Sequence, residues 1–178
     1  VIPTHAKIRD FTRHGYYPIR VEEGTPSNSE KQVGWEHVLD EARGVMRKVA
    51  QYKTKSVEEY AADLAAEVKE KRTKHARKPV SYDGHEYDAD TMAQQKLTGK
   101  LTYAQAAGKD ADSSWSVGWK TANNNFVQLS YDDLAAVVQA VNDQVQAAYN
   151  REAEIRSQIE QATTIEELKA ISIENGWP

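Results

Sequence analysis

The sequence predicts an α+β fold: a small N-terminal β segment, a connecting amphipathic helix, and a C-terminal module of two β-hairpins packed on a long helix and a short terminal helix. Three observations carry this prediction: a helix capping box at Ser56, hairpin signals at 83–84 and 121–125, and a heptad repeat after Ser130. The expected parts are a mostly β or extended attachment segment at 1–54, a connecting helix at 55–77, and the C-terminal α+β module at 78–178.

Residues 1–30 are predicted to be extended and irregular, with one short strand between Gly15 and Gly24. Pro18 lacks an amide hydrogen and therefore restricts this strand to the edge of a sheet. The strand-forming residues are Tyr16, Tyr17, Ile19 and Val21.

Residues 33–53 fit two structures. Apolar residues recur there at helical spacing, which favours a helix. Gly44 lies in the middle, however, and both halves are rich in β-branched and aromatic residues, with a stretch at 40–44 that can turn. These features favour a β-hairpin, whereas periodicity alone favours the helix.

The connecting helix is predicted to begin at Ser56, whose hydroxyl caps it while Glu59 reaches back to the cap. Pro79 ends it, because proline cannot continue a helix. The basic residues near its end are expected to be solvated and stabilised by the helix dipole. Its apolar residues are Val57, Ala61, Leu64 and Val68, at spacings of four, three and four.

Turns and caps divide the next stretch into short elements. The predicted elements are a hairpin that turns at Asp83 and Gly84, a short helix from Asp90 or Thr91 to Gly99, and a second short helix from Thr102 to Gly108.

The second hairpin is predicted from a strand whose alternate residues share one face: Trp115, Val117 and Trp119. Its turn lies at 121–125, and its return strand contains Phe126, Val127 and Leu129. Two tryptophans on one face need cover, so we expect the following helix to pack on them and Trp119 to be mostly buried.

The long helix, predicted at 131–161, carries the strongest periodic signal. Apolar residues recur at alternating spacings of four and three, and Glu152 interrupts the series. Val137 widens the apolar stripe in the first half, which indicates an intramolecular core there. The second half indicates self-association or docking. The candidate interface residues are Ala148, Glu152, Ile155, Ile159 and Trp177.

A short terminal helix is predicted from Thr164, which forms a capping box with Glu167. Gly176 then lets the chain reverse, so we expect Trp177 to dock on the fold as a lid. The alternative is that Trp177 is exposed and anchors a neighbouring protein.

Composition excludes several function classes. The chain has 27 acidic and 23 basic residues and no basic stripe, so nucleic acid is not an expected partner. It has no cysteine, which excludes disulfides and thiolate chemistry. No apolar run approaches the roughly 20 residues of a membrane span, and the start lacks the pattern of a signal peptide. We therefore expect a soluble protein that does not insert into membranes.

No motif predicts catalysis. None of the five histidines is paired at a metal-ligand spacing, and 83–90 lacks the order of a calcium loop. No phosphate loop or nucleophile motif is present. We therefore predict no catalytic, cofactor-binding or metal-binding residues, and no enzyme activity. A pair of glycosidase carboxylates is recognised only in three dimensions, so a glycan hydrolase remains a third reading.

Taken together, the Ser-x-Glu-Glu helix, the stretch "YDGHEYDADTMAQQKLTG", the hairpin "WKTANNNFVQLS" and the ending "TTIEELKAISIENGWP" resemble a C-terminal domain of unknown function found in tailed-bacteriophage tail proteins. The resemblance covers about 56–178. The residues that carry it are Gly84, Asp90, Gly99, Trp119, Asn124, Leu129, Glu152, Ile159, Leu168, Ile171, Gly176, Trp177 and Pro178.

The resemblance implies a virion tail component of the fibre, tip or baseplate, made in the host cytoplasm. Its implied partners are other tail proteins, and the symmetry of tails favours an oligomer or a ring of copies, with host-surface contact left open. The alternative is a tail-fibre assembly chaperone that is absent from the virion. Similar proteins place a β-hairpin before the Ser-x-Glu-Glu helix, which shifts the prediction for 33–53 to a hairpin.

Overall fold

The structure, a computed structural model, describes residues 19–22, 24 and 27–178. The chain forms two compact units, Val1–Tyr60 and Ala61–Pro178. The boundary between them falls inside the helix that was predicted to connect the N-terminal segment with the C-terminal module. Tyr16, Tyr17 and Pro18 of the first predicted strand lie outside the described residues.

The N-terminal unit contains a three-stranded sheet of β1 (Ile19–Glu22), β2 (Glu30–Asp40) and β3 (Val45–Thr54). β3 lies in the centre, parallel to β1 and antiparallel to β2. The stretch at 33–53 is therefore a β-hairpin, as the resemblance indicated, and the helical periodicity was misleading. Gly44 explains the turn, because its φ of 60° is a conformation that glycine adopts without strain.

The helix α1 (Val57–His75) begins as predicted. The Ser56 hydroxyl accepts a hydrogen bond from the Glu59 amide at 3.2 Å, and the Glu59 carboxylate accepts one from the Ser56 amide at 3.0 Å. These reciprocal bonds satisfy two backbone amides that the first turn would otherwise leave unpaired. Leu64 and Val68 of the predicted apolar stripe are buried.

The helix after the first hairpin is longer than predicted. A two-stranded hairpin of β4 (Val80–Tyr82) and β5 (His85–Tyr87) leads into α2 (Thr91–Ala106), a single helix that begins at the Asp90 cap. The prediction of two short helices divided at Gly99 was wrong. A glycine inside a helix costs about 1 kcal/mol, and the buried side chains of Leu97 and Ala104 on either side offset that cost.

The second hairpin and the long helix form as predicted, with β6 (Ser116–Lys120), β7 (Phe126–Ser130) and α3 (Tyr131–Gln161). Ser130 and Asp133 form a capping box at the start of α3. The hairpin, α2 and the first half of α3 share one core. Trp119 packs against this core but is only partly buried, less than expected. The buried residues of this core are Val80, Tyr87, Ala89, Leu97, Leu129, Leu134, Val137, Val138 and Val141.

The terminal helix α4 (Ile165–Ala170) begins at Thr164 with the predicted capping box to Glu167. Leu168 and Ile173 are buried, so the short helix and the chain after it add to the core of the C-terminal unit. Gly176 has a φ of 82°, as expected of a glycine that reverses the chain.

Candidate interaction surfaces

The second half of α3 is covered by the chain itself. Ala148, Glu152, Ile155 and Ile159 are all buried, and Ala148 and Ile155 have no exposed surface. These four residues were predicted to take part in self-association or docking. Because their side chains already lie inside the C-terminal unit, they are not available to a partner in this conformation. The heptad pattern correctly indicated that these side chains are buried. It could not tell burial within one chain from burial between two chains.

Glu152 interrupts the apolar series because it pairs with two arginines. Its carboxylate accepts hydrogen bonds from Nε of Arg72 at 2.9 Å and from Nε of Arg156 at 3.0 Å. Burial acts to raise the pKa of the Glu152 carboxyl, but the hydrogen bonds from Arg156 and Arg72 outweigh burial, so the pKa lies below its ordinary value. Glu152 therefore links α1 to α3 as an ionised side chain.

Trp177 is partly buried and docks on the C-terminal unit. Its indole ring stacks on His75 with ring centroids 5.4 Å apart, and its Nε1 donates a hydrogen bond to the carbonyl oxygen of Ile173 at 2.9 Å. Nδ1 of His75 and the carbonyl oxygen of Pro178 are 3.1 Å apart. These contacts leave the indole less available as an anchor for another protein.

Two side chains of the helices hold the segment that precedes Trp177. Arg151 donates hydrogen bonds to the carbonyl oxygens of Ser172 and Asn175, both at 3.1 Å, and Lys71 bonds the Glu174 carboxylate at 2.8 Å. A Cβ added to Gly176 would lie 3.0 Å from Nε of Arg151, so the arginine side chain would have to shift slightly to admit it. The positive φ of Gly176 is therefore the stronger reason for glycine at this position.

The N-terminal sheet exposes apolar side chains on one face. The strand register places Ile19 and Val21 of β1 on the same face as Met46 of the central strand and Leu39 of β2. Ile19 is 61% exposed and Val21 is 57% exposed. The opposite face carries Val38, Val45 and Val49 beside charged side chains, which include an ion pair between Glu22 and Arg47.

A groove of about 360 Å³ lies beside the start of α2 in the C-terminal unit. Its apolar part includes Met92, Trp119 and Phe126, and both Met92 and Phe126 are largely exposed. Its volume lies at the low end of the range of ligand-binding clefts. The remaining lining residues are Asp88, Asp90, Ala93, Lys96, Gly118 and Lys120.

Both signs of charge line this groove. Asp90 uses one carboxylate oxygen to cap α2, with a bond of 2.8 Å from the Ala93 amide. Asp88, Lys96 and Lys120 form no ion pair within residues 27–178. Three charged side chains are thus free to interact with a ligand.

No sequence pattern predicted the groove. Asp90 was predicted to cap a helix, which it does, and Trp119 was predicted to be mostly buried in the core, which it contacts while only partly buried. The only signal in the sequence was Phe126, whose position opposite Lys120 places an aromatic ring on the outer face of the hairpin. The approach of α2 to β6 depends on the whole fold and has no local pattern.

Among the described residues, no cluster of three or more histidines and carboxylates is arranged to hold a metal ion. No helix in that part of the chain is long and apolar enough to cross a membrane.

These elements define a mixed α+β module built on a long helix, preceded by a small sheet. The chain belongs to the family described as Domain of unknown function (DUF4376), whose model matches residues 59–173. The match covers α1 from its third residue to the end of α4, and the three-stranded sheet lies entirely outside it. No curated protein and no solved structure matches the chain.

Proposed function

We propose that this protein is a structural or adaptor component of a bacteriophage tail, in the fibre, tip or baseplate, and acts through protein–protein contacts. The resemblance of 56–178 to a domain of tail proteins supports this assignment. The observation that carries the protein-contact role is the apolar face of the N-terminal sheet. Ile19 and Val21 are exposed there on neighbouring positions of one strand face. Exposed apolar patches on a sheet are typical of interaction sites.

The N-terminal sheet is proposed as the attachment part. Its apolar face carries aliphatic side chains and Trp35, over which Nζ of Lys48 lies at 4.5 Å from the ring centroid. Large apolar and aromatic side chains with few charges are the composition of the central part of an interface.

The test of this proposal is whether the protein is present in purified virions. Mass spectrometry of purified virions of a phage that encodes this chain is expected to detect it, and immunogold electron microscopy is expected to label the tail. A protein found in the infected cell and absent from purified virions would overturn the structural role and favour the assembly chaperone.

A matched pair of substitutions tests the attachment face. Val21→Asp puts a charge on the apolar face, and Arg20→Asp puts the same charge on the opposite face of the same strand. We expect Val21→Asp to reduce the amount of the protein in virions and Arg20→Asp to leave it unchanged. Equal incorporation of both variants would contradict attachment through this face.

A further inference from the structure

We infer that the groove beside the start of α2 is a binding site for a small uncharged saccharide. Such a site goes beyond the proposed function, which concerns protein contacts. Three features of the groove support it: an exposed aromatic ring, charged groups of both signs that form no ion pair in the described part of the chain, and a glycine that leaves space on the face of the hairpin.

The groove lies over the outer face of the second hairpin. Lys120 pairs with Phe126 across the two strands, so their side chains share a face, and Gly118 lies on that face two residues earlier in β6. The start of α2 contributes Met92 and Ala93 to the same groove. The groove is therefore formed between the outer face of the hairpin and the first turn of a helix.

Hydrogen bonds hold the elements around the groove together. The Ala122 amide, in the turn of the second hairpin, donates to the carbonyl oxygen of Glu86 at 2.8 Å and so joins this hairpin to β5. Asp88 follows β5 directly, and Asp90 caps α2 through its bond from the Ala93 amide. A site built from elements that are already fixed loses little freedom when a ligand binds, which favours affinity.

Phe126 offers an apolar surface to a ligand. Its side chain is largely exposed, and so is that of Met92 at the same groove. A Cβ added to Gly118 would meet only the side chain of Gln128, at 3.5 Å, so packing within the chain does not require a glycine there. One face of a pyranose ring carries C–H groups and has the flat apolar shape that packs on an aromatic ring.

The charges of the groove favour an uncharged ligand. Asp88 and Asp90 would repel an anion, whereas Lys96 and Lys120 would repel a cation. A hydroxyl group both donates and accepts hydrogen bonds, so it can bond a carboxylate as well as an ammonium group. The neighbouring hydroxyls of a saccharide therefore suit a lining that combines the two kinds of group.

A small zwitterion would also match charges of both signs. The side chains of Asp88, Lys96 and Lys120 are exposed, and ion pairs between exposed groups contribute little to binding. A zwitterion such as glycine also has no apolar face to place on Phe126. A saccharide uses both the ring and the charged groups, so it fits the groove better.

Saturation-transfer NMR on the full chain tests this assignment, with uncharged hexoses and N-acetylhexosamines as the probes. We expect a Kd on the order of 1 mM for at least one of them, since a small groove open to solvent supports only weak binding. Phe126→Ala should weaken this binding at least about tenfold. Tyr103→Ala removes another largely exposed ring, on α2 outside the groove, and should leave binding unchanged.

A second matched pair tests the position of the site. Gly118→Leu fills the groove from the hairpin side and should abolish saccharide binding. Ser116→Leu adds the same side chain to the same face of β6, outside the groove, and should leave binding unchanged. Both positions are exposed, so both variants should keep the circular dichroism spectrum of the unaltered chain.

The assignment is overturned if none of these sugars binds at about 10 mM, or if Phe126→Ala binds them as well as Tyr103→Ala does. Tighter binding of glycine or phosphocholine than of the sugars would also overturn it and assign the groove to zwitterions. Detection of the chain in virions does not depend on this groove, so failure here leaves the proposed tail function standing.

Discussion

The N-terminal sheet and the C-terminal module differ in how far their apolar side chains are exposed. In the module, α3 buries Leu134 and Val137 completely. In the sheet, Ile19 and Val21 are more than half exposed, although they have the same strand-forming character as the residues of the module's hairpins. The module thus has a core of its own, whereas one face of the sheet has apolar area left for a contact.

The difference follows from the number of layers. The module places helices against its hairpins, so each apolar stripe meets a second layer. A three-stranded sheet has two faces, and an apolar face gains stability only where another layer covers it. Replacing apolar residues should therefore lower the free energy of unfolding in the module. In the sheet, it should instead weaken the proposed contact with a partner protein.

The largest effect is expected from the module core. Leu134→Ala removes a side chain with no exposed surface, and such truncations cost about 2–5 kcal/mol because they leave a cavity. Urea unfolding followed by far-UV circular dichroism measures the loss. Met92→Ala, at a 57% exposed residue of the same module, is the control and should stay within about 0.5 kcal/mol of the unaltered chain. Similar losses in both would contradict a core centred on α3.

The second largest effect is expected at Glu152, whose carboxylate is paired with Arg72 and Arg156. Glu152→Gln keeps the shape of the side chain but removes its charge, and we expect a loss of about 1.5–3 kcal/mol at neutral pH, the usual range for hydrogen bonds to charged groups. Glu160→Gln on the exposed side of α3 is the control and should be neutral.

The pH dependence of the same variant follows from the lowered pKa of Glu152. Its ordinary value is 4.5, so the stabilisation is complete above that pH and is lost as the pH falls through the lower folded pKa. The difference in unfolding free energy between Glu152→Gln and the unaltered chain should therefore shrink below about pH 4.5. A difference that stays constant down to pH 3 would contradict an ionised Glu152.

A smaller loss is expected where the chain docks Trp177. Trp177→Ala removes the stack on His75 and the hydrogen bond to Ile173, which together should contribute about 1–2 kcal/mol. The melting temperature should fall, whereas Phe126→Ala, at a 78% exposed ring, should leave it unchanged. An unchanged melting temperature for Trp177→Ala together with lost virion incorporation would favour the anchor reading of Trp177.

Local signals in the sequence predicted the caps and turns well. Ser56 and Thr164 both form the expected capping boxes, because a cap is decided by residues three positions apart. The prediction at Gly99 was wrong because it used only nearby residues. Glycine commonly ends a helix, and the burial of Leu97 and Ala104, which offsets its cost, depends on the tertiary fold. The hairpin at 33–53 was resolved by resemblance and not by periodicity.

The candidate surfaces were harder to predict. The heptad pattern identified Ile155 and Ile159 as apolar contact residues, but such a pattern does not tell burial within one chain from burial between chains. Glu152 was recognised as an exception, and its partner Arg72 lies 80 positions away. The groove along β6 depends on how α2 approaches the hairpin, which no short sequence pattern specifies.

The smallest effect on stability is expected in the N-terminal sheet, where a matched pair of valines gives the sharpest comparison. Val137 has no exposed surface and Val21 is 57% exposed, so the same change to alanine removes the same two methyl groups from two environments. Val137→Ala should cost roughly 1–3 kcal/mol, on the scale of about 0.8 kcal/mol per buried carbon plus a cavity term. Val21→Ala should stay within about 0.5 kcal/mol, because a mostly exposed side chain loses little on truncation. Urea unfolding of the full chain, followed by tryptophan fluorescence, measures both. If Val21→Ala costs as much as Val137→Ala, the exposed face is covered by the chain itself, and the contrast between the sheet and the module no longer supports an attachment surface.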